Sequence, residues 1–191
     1  MKVMIKYGII LTIVGIIASA SLAWINKITK PQIIAQQQNK FNQGLYQVLP
    51  GSENGVIIPV QKENNIIAHK GFANPDTTDL IGYAFQANGN GYSSTIKTLV
   101  GVDTSGIILA IQVLSQTETP GLGSKCEEIL PGKSSPWFQE QFKGKKATEV
   151  AVDKDNGNID SITGATITSR AITDAIADST RSLINKLGRL N

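Results

Sequence analysis

One cysteine and one histidine serve 191 residues, and aromatic side chains make up only 6% of the chain. Cys126 and His69 cannot between them supply an iron–sulfur cluster, a structural zinc site, a C-x-x-C-H haem attachment or an intrachain disulfide. They read instead as a small apolar residue and a surface imidazole. Redox chemistry in this chain therefore requires an organic cofactor or a partner's metal. Charge is sparse as well: 17% of residues are charged, and Lys plus Arg exceed Asp plus Glu by 18 − 15 = 3. So small and dispersed an excess makes no nucleic-acid footprint, and no run of like charge forms an electrostatic arm. Internal repeats and low-complexity tracts are absent too, which leaves one ordinary globular unit behind an unusual N-terminus.

That N-terminus follows Lys2 and Lys6 with an uncharged apolar run from Tyr7 to Ile25. At 1.5 Å per residue a helix of this length covers roughly 30 Å, just enough to cross the hydrocarbon core. Trp24 falls where indoles gather at the far interface, and Lys27 and Lys30 stop the segment among headgroups. A secretory signal is the rival, because Ala18-Ser19-Ala20 forms a cleavage pattern behind a basic tip. The run continues through Leu22 to Ile25 past that cut, which favours a retained anchor over residues 1–26. Both readings export the rest of the chain if the short N-terminal tail stays in the cytoplasm.

Residues 27–50 read as a connecting helix, with Ile28, Ile33, Ile34, Phe41, Leu45 and Val48 apolar among Gln, Asn and Lys, and Pro50-Gly51 ending the pattern. The remainder, 51–191, reads as an α+β domain with a mainly antiparallel sheet and flanking helices. Strands are predicted at Val56 to Val60, Asn65 to His69 and Leu80 to Gln86. A hairpin follows: Ile96, Thr98, Val100 and Val102 alternate, Asp103-Thr104-Ser105-Gly106 turns, and Ile107 to Leu114 returns as a nearly continuous apolar strand, expected to be central. Short helices are predicted around Glu127 and from Pro136 to Phe142, and a second hairpin turns at Asp155-Asn156-Gly157 between Glu149 to Val152 and Ile159 to Ile162. The last helix starts just after Thr163 and runs towards Leu187, with Ala165, Ile172, Ile176, Leu183 and Leu187 on one stripe.

The chemistry concentrates where that helix begins, at Asp160-Ser161-Ile162-Thr163-Gly164-Ala165-Thr166-Ile167-Thr168-Ser169. As structure alone, Thr163 is an N-cap, Gly164 allows a tight approach, and the other hydroxyls are incidental. As chemistry, a helix N-terminus offers free N–H groups and the positive end of the dipole, which welcome a phosphate, and Thr166 puts a hydroxyl in that first turn.

D-S-I-T-G-A-T resembles the D-x-x-[ST]-G-A-T signature at which a dedicated transferase esterifies the phosphate of FMN to the final threonine. Glu118-Thr119-Pro120-Gly121-Leu122-Gly123 resembles the E-T-P-G-L-G loop of the same FMN-binding domain family. Gly91-Tyr92, and Trp137-Phe138 with Gln141-Phe142, fit its pattern as well. Within that family the chain is most similar to the G subunit of the Rnf electron-transport complex; the C subunit of the sodium-pumping NADH:quinone reductase is the near alternative.

The resemblance implies a single-pass protein of the bacterial cytoplasmic (inner) membrane with its flavin domain on the outer face. It would be an electron-transfer component of an ion-translocating ferredoxin:NAD oxidoreductase, associated with other membrane subunits and matured by the transferase. It implies covalent FMN on Thr166. Thr163, Gly164, Ala165, Thr168 and Ser169 would present hydroxyls or amides to the phosphodiester and ribityl chain, with Asp160 serving the transferase or the helix cap. Glu118 and Thr119 would meet the ring edge, Leu122 its face between Gly121 and Gly123, and Lys125 would favour a reduced, anionic flavin by charge attraction. Tyr92 reads as hairpin core. A stand-alone FMN-domain reductase and a membrane-anchored assembly protein are the competing classes; the first would need further catalytic groups, and in the second T-G-A-T is only a helix cap.

Overall fold

The computed structural model describes residues 2–63 and 65–188. It begins with one unbroken helix, α1 (Lys2–Val48), which carries Pro31 inside it. The segments read as anchor and connector thus lie on a single helix, in which Pro31 has no N–H for an i→i−4 hydrogen bond. This is a helix long and apolar enough to cross a membrane by length and composition, and its large apolar side chains from Val3 to Ile34 stand exposed, Leu11 and Trp24 among them. Three hydroxyls along it are satisfied within the helix: Thr12, Ser19 and Ser21 each donate to the carbonyl one turn back, at 2.9, 2.7 and 2.8 Å. A spanning helix needs that self-sufficiency, since lipid offers no partner.

The chain divides into two compact units, Met1–Lys40 and Phe41–Asn191. The second holds a five-stranded antiparallel meander in the order β1 (Ile57–Lys62), β2 (Asn65–Phe72), β3 (Leu80–Asn90), β4 (Thr95–Asp103) and β5 (Ile108–Ser115). Alternation along the strands sorts side chains to two faces. Tyr83, Phe85, Ile96, Val100 and Val102 enter the main core beneath the C-terminal helix α3 (Thr166–Leu187), which supplies Ile172, Ile176 and Leu183. Ala84 and Leu99 face the other way, onto Leu45, Val48 and Leu49 at the end of α1 and just beyond. The last turns of the connector therefore belong to the domain's packing.

Two predictions about the sheet need correction. β5 lies at the edge, not the centre. It reads as a central strand because both of its faces are apolar: Ile108, Ile111 and Val113 enter the main core, while Leu109 and Leu114, the extra residues at two bulges, pack on the opposite face. Its outer edge is masked by other chain: Ile108 N–H donates to the Lys145 carbonyl and Gly144 N–H to the Ile108 carbonyl, each at 2.8 Å, while Gln139 Oε1 accepts from Val113 N–H. Covering an edge in this way removes its tendency to pair with another chain. The second expected hairpin is also absent. Asp153–Asp155 forms a 3₁₀ turn, Asn156 takes a left-handed conformation (φ 57°), and Val152 and Ile159 share a single isolated bridge.

Between β5 and α3 the chain makes a 3₁₀ turn at Gly123–Glu127 and the short helix α2 (Trp137–Glu140). Phe138 and Phe142 are fully buried and meet edge to face at 5.5 Å, so the aromatic stretch is core. Cys126 is buried as well. His69 is not a surface imidazole: it is half-buried against the Phe41 ring (5.4 Å, edge to face), and burial pushes its pKa down.

Candidate functional site

The start of α3 differs from the sequence reading in a way that changes its chemistry. Thr163 is not the N-cap. Ala165 N–H donates to the Ile162 carbonyl at 2.9 Å, closing a turn in which Gly164 sits at φ 77°, a conformation that excludes most other residues. The turn delays the helix until Thr166, and the capping position falls to Ala165, whose side chain makes no cap bond. The first-turn amides of Thr166, Ile167 and Thr168 therefore lack both an intrahelical acceptor and a side-chain cap. A 22-residue helix with a bare N-terminus presents donors and a positive dipole end in one place.

Three attachments hold that terminus rigid. Ser169 Oγ accepts from Ile162 N–H at 2.9 Å and donates to the Ala165 carbonyl at 3.1 Å, tying the turn to the helix. Arg170 forks onto both oxygens of Asp155 at 2.6 and 2.7 Å, holding that carboxyl below its usual range and fixing the preceding loop. Thr168 Oγ donates to Glu118 Oε2 at 2.6 Å, joining α3 to the loop after β5.

Glu118 is the centre of this arrangement. Only 5% of it is exposed, and its carboxylate accepts from Tyr92, Ser93 and Ser94 N–H, each at 2.9 Å, and from Ser94 Oγ at 3.0 Å, besides Thr168. Burial raises its pKa, but the bonds from Thr168, Ser93, Tyr92 and Ser94 outweigh burial and bring it down to about 2. The carboxylate thus gathers the β3–β4 turn, the loop after β5 and the start of α3 around one charge.

Above that junction opens a cavity of about 610 Å³, lined by Tyr92, Glu118, Thr119, Leu122, Gly123 and the run Gly164 to Thr168. The volume lies in the range of small-molecule and cofactor sites. One wall is polar, formed by the bare helix terminus and Thr166. The other is apolar: Leu122 is 43% exposed, Tyr92 73%, and Ile167 also stands open. A phosphate at the helix terminus with a planar ring against the apolar wall matches this donor set, so the residues present fit FMN.

Comparison with known proteins points to the same cofactor. Residues 91–180 match the FMN-binding domain family, a stretch that contains every residue lining the cavity. Residues 1–48 match the RnfG N-terminal region, nearly coincident with α1. The G subunit of the ion-translocating oxidoreductase complex of Pasteurella multocida is 32% identical over 205 residues, covering 100% of this chain and 98% of that one. The chain belongs to the RnfG family. A second family member, the G subunit of the Na⁺-translocating ferredoxin:NAD⁺ oxidoreductase complex of Acetobacterium woodii, is 29% identical, covering 92% of this chain and 89% of that one. Among solved structures, the C subunit of the Na⁺-translocating NADH-quinone reductase from Parabacteroides distasonis is 28% identical, covering 65% of this chain and 64% of that one with a TM-score of 0.49. This RnfG-family chain is accordingly a membrane protein with an N-terminal apolar helix and an FMN-binding domain.

Of the residues singled out in the sequence, Glu118, Thr119, Leu122, Gly123, Gly164, Ala165, Thr166 and Thr168 meet around the cavity. Asp160, Thr163, Gly121, Lys125 and Ser169 do not line it. Asp160 is exposed, its backbone clasped by the Gln141 side chain at 2.8 and 3.2 Å. Gly121 shapes the loop at φ 76°, its N–H held by Ser124 Oγ. Lys125 lies in the 3₁₀ turn, and Ser169 is buried in its own bonds. Two lining residues are additions. Tyr92 is on the rim and not in the hairpin core, and Ile167 lines the mouth although it lies off the apolar stripe of α3. The available signal was the position of Ile167 directly after Thr166, which puts an apolar side chain beside any phosphate bound there.

Proposed function

We propose that this chain is the electron-transfer component of a membrane-bound, ion-translocating ferredoxin:NAD oxidoreductase, carrying FMN as a phosphoester on Thr166. The observation that carries the reading is the place of Thr166: last residue of D-S-I-T-G-A-T, first residue of an uncapped 22-residue helix, and part of the wall of the cavity. The relatives' names supply the complex, ion-translocating in one case and Na⁺-translocating ferredoxin:NAD⁺ in the other. Residues 1–26 serve as the anchor, 27–50 as the connector and 51–191 as the FMN domain, which lies on the outer face of the bacterial inner membrane beside the other subunits.

Bound FMN supplies one-electron and two-electron chemistry, and the chain supplies its setting. The Thr166 hydroxyl provides the ester oxygen, and the amides of residues 166–168 neutralise the phosphate. Leu122, Ile167 and Tyr92 keep water from the ring. Ester formation belongs to a separate flavin transferase, so no general base is needed beside Thr166. Flavin fluorescence of the expressed chain on a denaturing gel, together with co-purification of other membrane subunits, tests the reading. A dark band would defeat the covalent assignment, and a fluorescent chain that purifies alone would favour a stand-alone reductase.

Two further outcomes follow from the same placement. Leu122→Asp puts a charge on the apolar wall and should leave the covalent bond intact while altering flavin absorbance or potential; unchanged spectra and potential would move the ring elsewhere. Mass spectrometry of the mature membrane protein should find the anchor retained. A terminus at Ser21 would show that the N-terminal segment is a cleaved signal and leave the flavin domain untouched.

A further inference from the structure

Among the described residues, Glu118 is the one charged side chain on the cavity wall; Lys, Arg and His are absent from that lining. Its five hydrogen-bond donors are three backbone amides and two hydroxyls, all neutral. Such donors stabilise a carboxylate but do not cancel its charge, as an ion pair would. The packing is built around the anion. A Cβ on Gly91 would stand 2.6 Å from Oε1, and one on Gly123 would stand 3.0 Å from Oε2 and 2.5 Å from Thr168 Oγ1. Only glycine at these two positions lets both loops close on the carboxylate. Lys125, which charge attraction alone would set beside the ring, does not line the cavity.

We infer that Glu118 is a fixed negative charge of the flavin cavity that lowers the electron affinity of the cofactor bound there. The inference rests on the FMN reading above. Each electron delivered to the flavin by a redox partner adds one negative charge unless a proton follows, and a buried anion on the same wall opposes that gain. The dipole end of α3 does not offset it, because the phosphate occupies that end. The site therefore suits a carrier that gives up electrons readily, and it disfavours storage of reduced flavin.

The test is a spectroelectrochemical titration at pH 7 of the full-length membrane protein, co-expressed with the transferase and carrying FMN, in four forms. Relative to wild type, Glu118→Gln should bind the first electron at least tenfold more tightly, an upward shift of about 59 mV. Glu118→Asp keeps the charge while shortening the side chain and breaking its geometry, and should shift less than half as far as Gln. Ser94→Ala removes one donor and keeps the anion, so its potential should fall or stay, never rise. A purely structural role would move Gln and Asp together. That result, an unmoved or lowered Gln potential, or a raised Ser94→Ala potential would each overturn the inference. Should the Gln variant fail to accumulate, Asp and Ser94→Ala decide it: an Asp potential raised by half of about 59 mV or more, or a raised Ser94→Ala potential, overturns it, and a smaller Asp shift with Ser94→Ala not raised upholds it. A wild-type chain that carries no FMN rejects the underlying reading and this inference together, whereas a fluorescent wild type with the wrong pattern of shifts rejects this inference alone.

Discussion

Thr166→Ala, co-expressed with the transferase, is expected to lose flavin fluorescence on a denaturing gel completely, while Thr163→Ser keeps it. Both threonines carry hydroxyls near the helix mouth, and the sequence alone would separate them by giving Thr163 a capping duty. The structure separates them by position. Thr163 is exposed in the turn before Gly164 and outside the cavity, whereas Thr166 opens the helix and lines it. An ester at Thr166 places the phosphate at amides 166–168, where partial positive charge and unsatisfied donors coincide. The loss should not come from unfolding. Thr166 makes no cap bond, and alanine is the better helix former, so the variant should melt within about 1 kcal/mol of wild type. A fluorescent Thr166→Ala band, or a dark Thr163→Ser band with normal stability, would contradict this assignment.

Glu118→Ala should be the most damaging single change near the site, costing about 3 kcal/mol or more. Truncation strands three amides and two hydroxyls around a buried void, and each buried donor left unmade costs about 1–3 kcal/mol where water cannot replace the partner. For a domain of this size the loss corresponds to a fall in Tm of roughly 6–12 °C. The pH dependence has a definite sign. The folded carboxyl titrates at about 2, below its ordinary value near 4.5, so its stabilisation is complete above pH 4.5 and disappears as pH falls towards 2. The gap in Tm between wild type and Glu118→Gln should therefore shrink across that interval. A gap that stays constant from about pH 7 to about pH 2.5, or a Glu118→Ala variant as stable as wild type, would show that the carboxylate does not hold the three segments together.

Much of the architecture follows from local pattern. Ile96, Thr98, Val100 and Val102 alternate strictly, and all but the threonine enter the core as apolar groups, so β4 and its turn at Asp103 were legible. Asp103 Oδ1 accepts from Ser105 and Ile107 N–H, the bonds that an Asp at a turn is suited to make. The edge position of β5 was not legible, because its cover comes from residues 139–146, and a sequence pattern cannot distinguish burial by a strand from burial by a loop. Nor was the buried face of α3 fully readable. Thr173 and Thr180 lie inside it, their hydroxyls donating to carbonyls one turn back, so polar residues occupy core positions at no lasting cost.

The site divides in the same way. Thr166 and the glycine-flanked Leu122 could be found because their motifs are contiguous. The role of Glu118 could not, since its partners lie 24 to 26 residues before it and 50 after it. Thr163 reads as a cap because serine and threonine ahead of a helix usually serve as one, whereas here Gly164 adopts a left-handed turn that moves the start of the helix to Thr166.

The central claim is the attachment at Thr166, and peptide mapping of the mature protein tests it most directly. Proteolysis and fragmentation of the full-length chain, purified from membranes that also contain the transferase, should place the whole FMN phosphate mass on Thr166 within the peptide that spans Ser161 to Arg170. The same mass on Thr163 or Thr168, or an unmodified peptide from a protein that still shows flavin fluorescence under denaturing conditions, would contradict it.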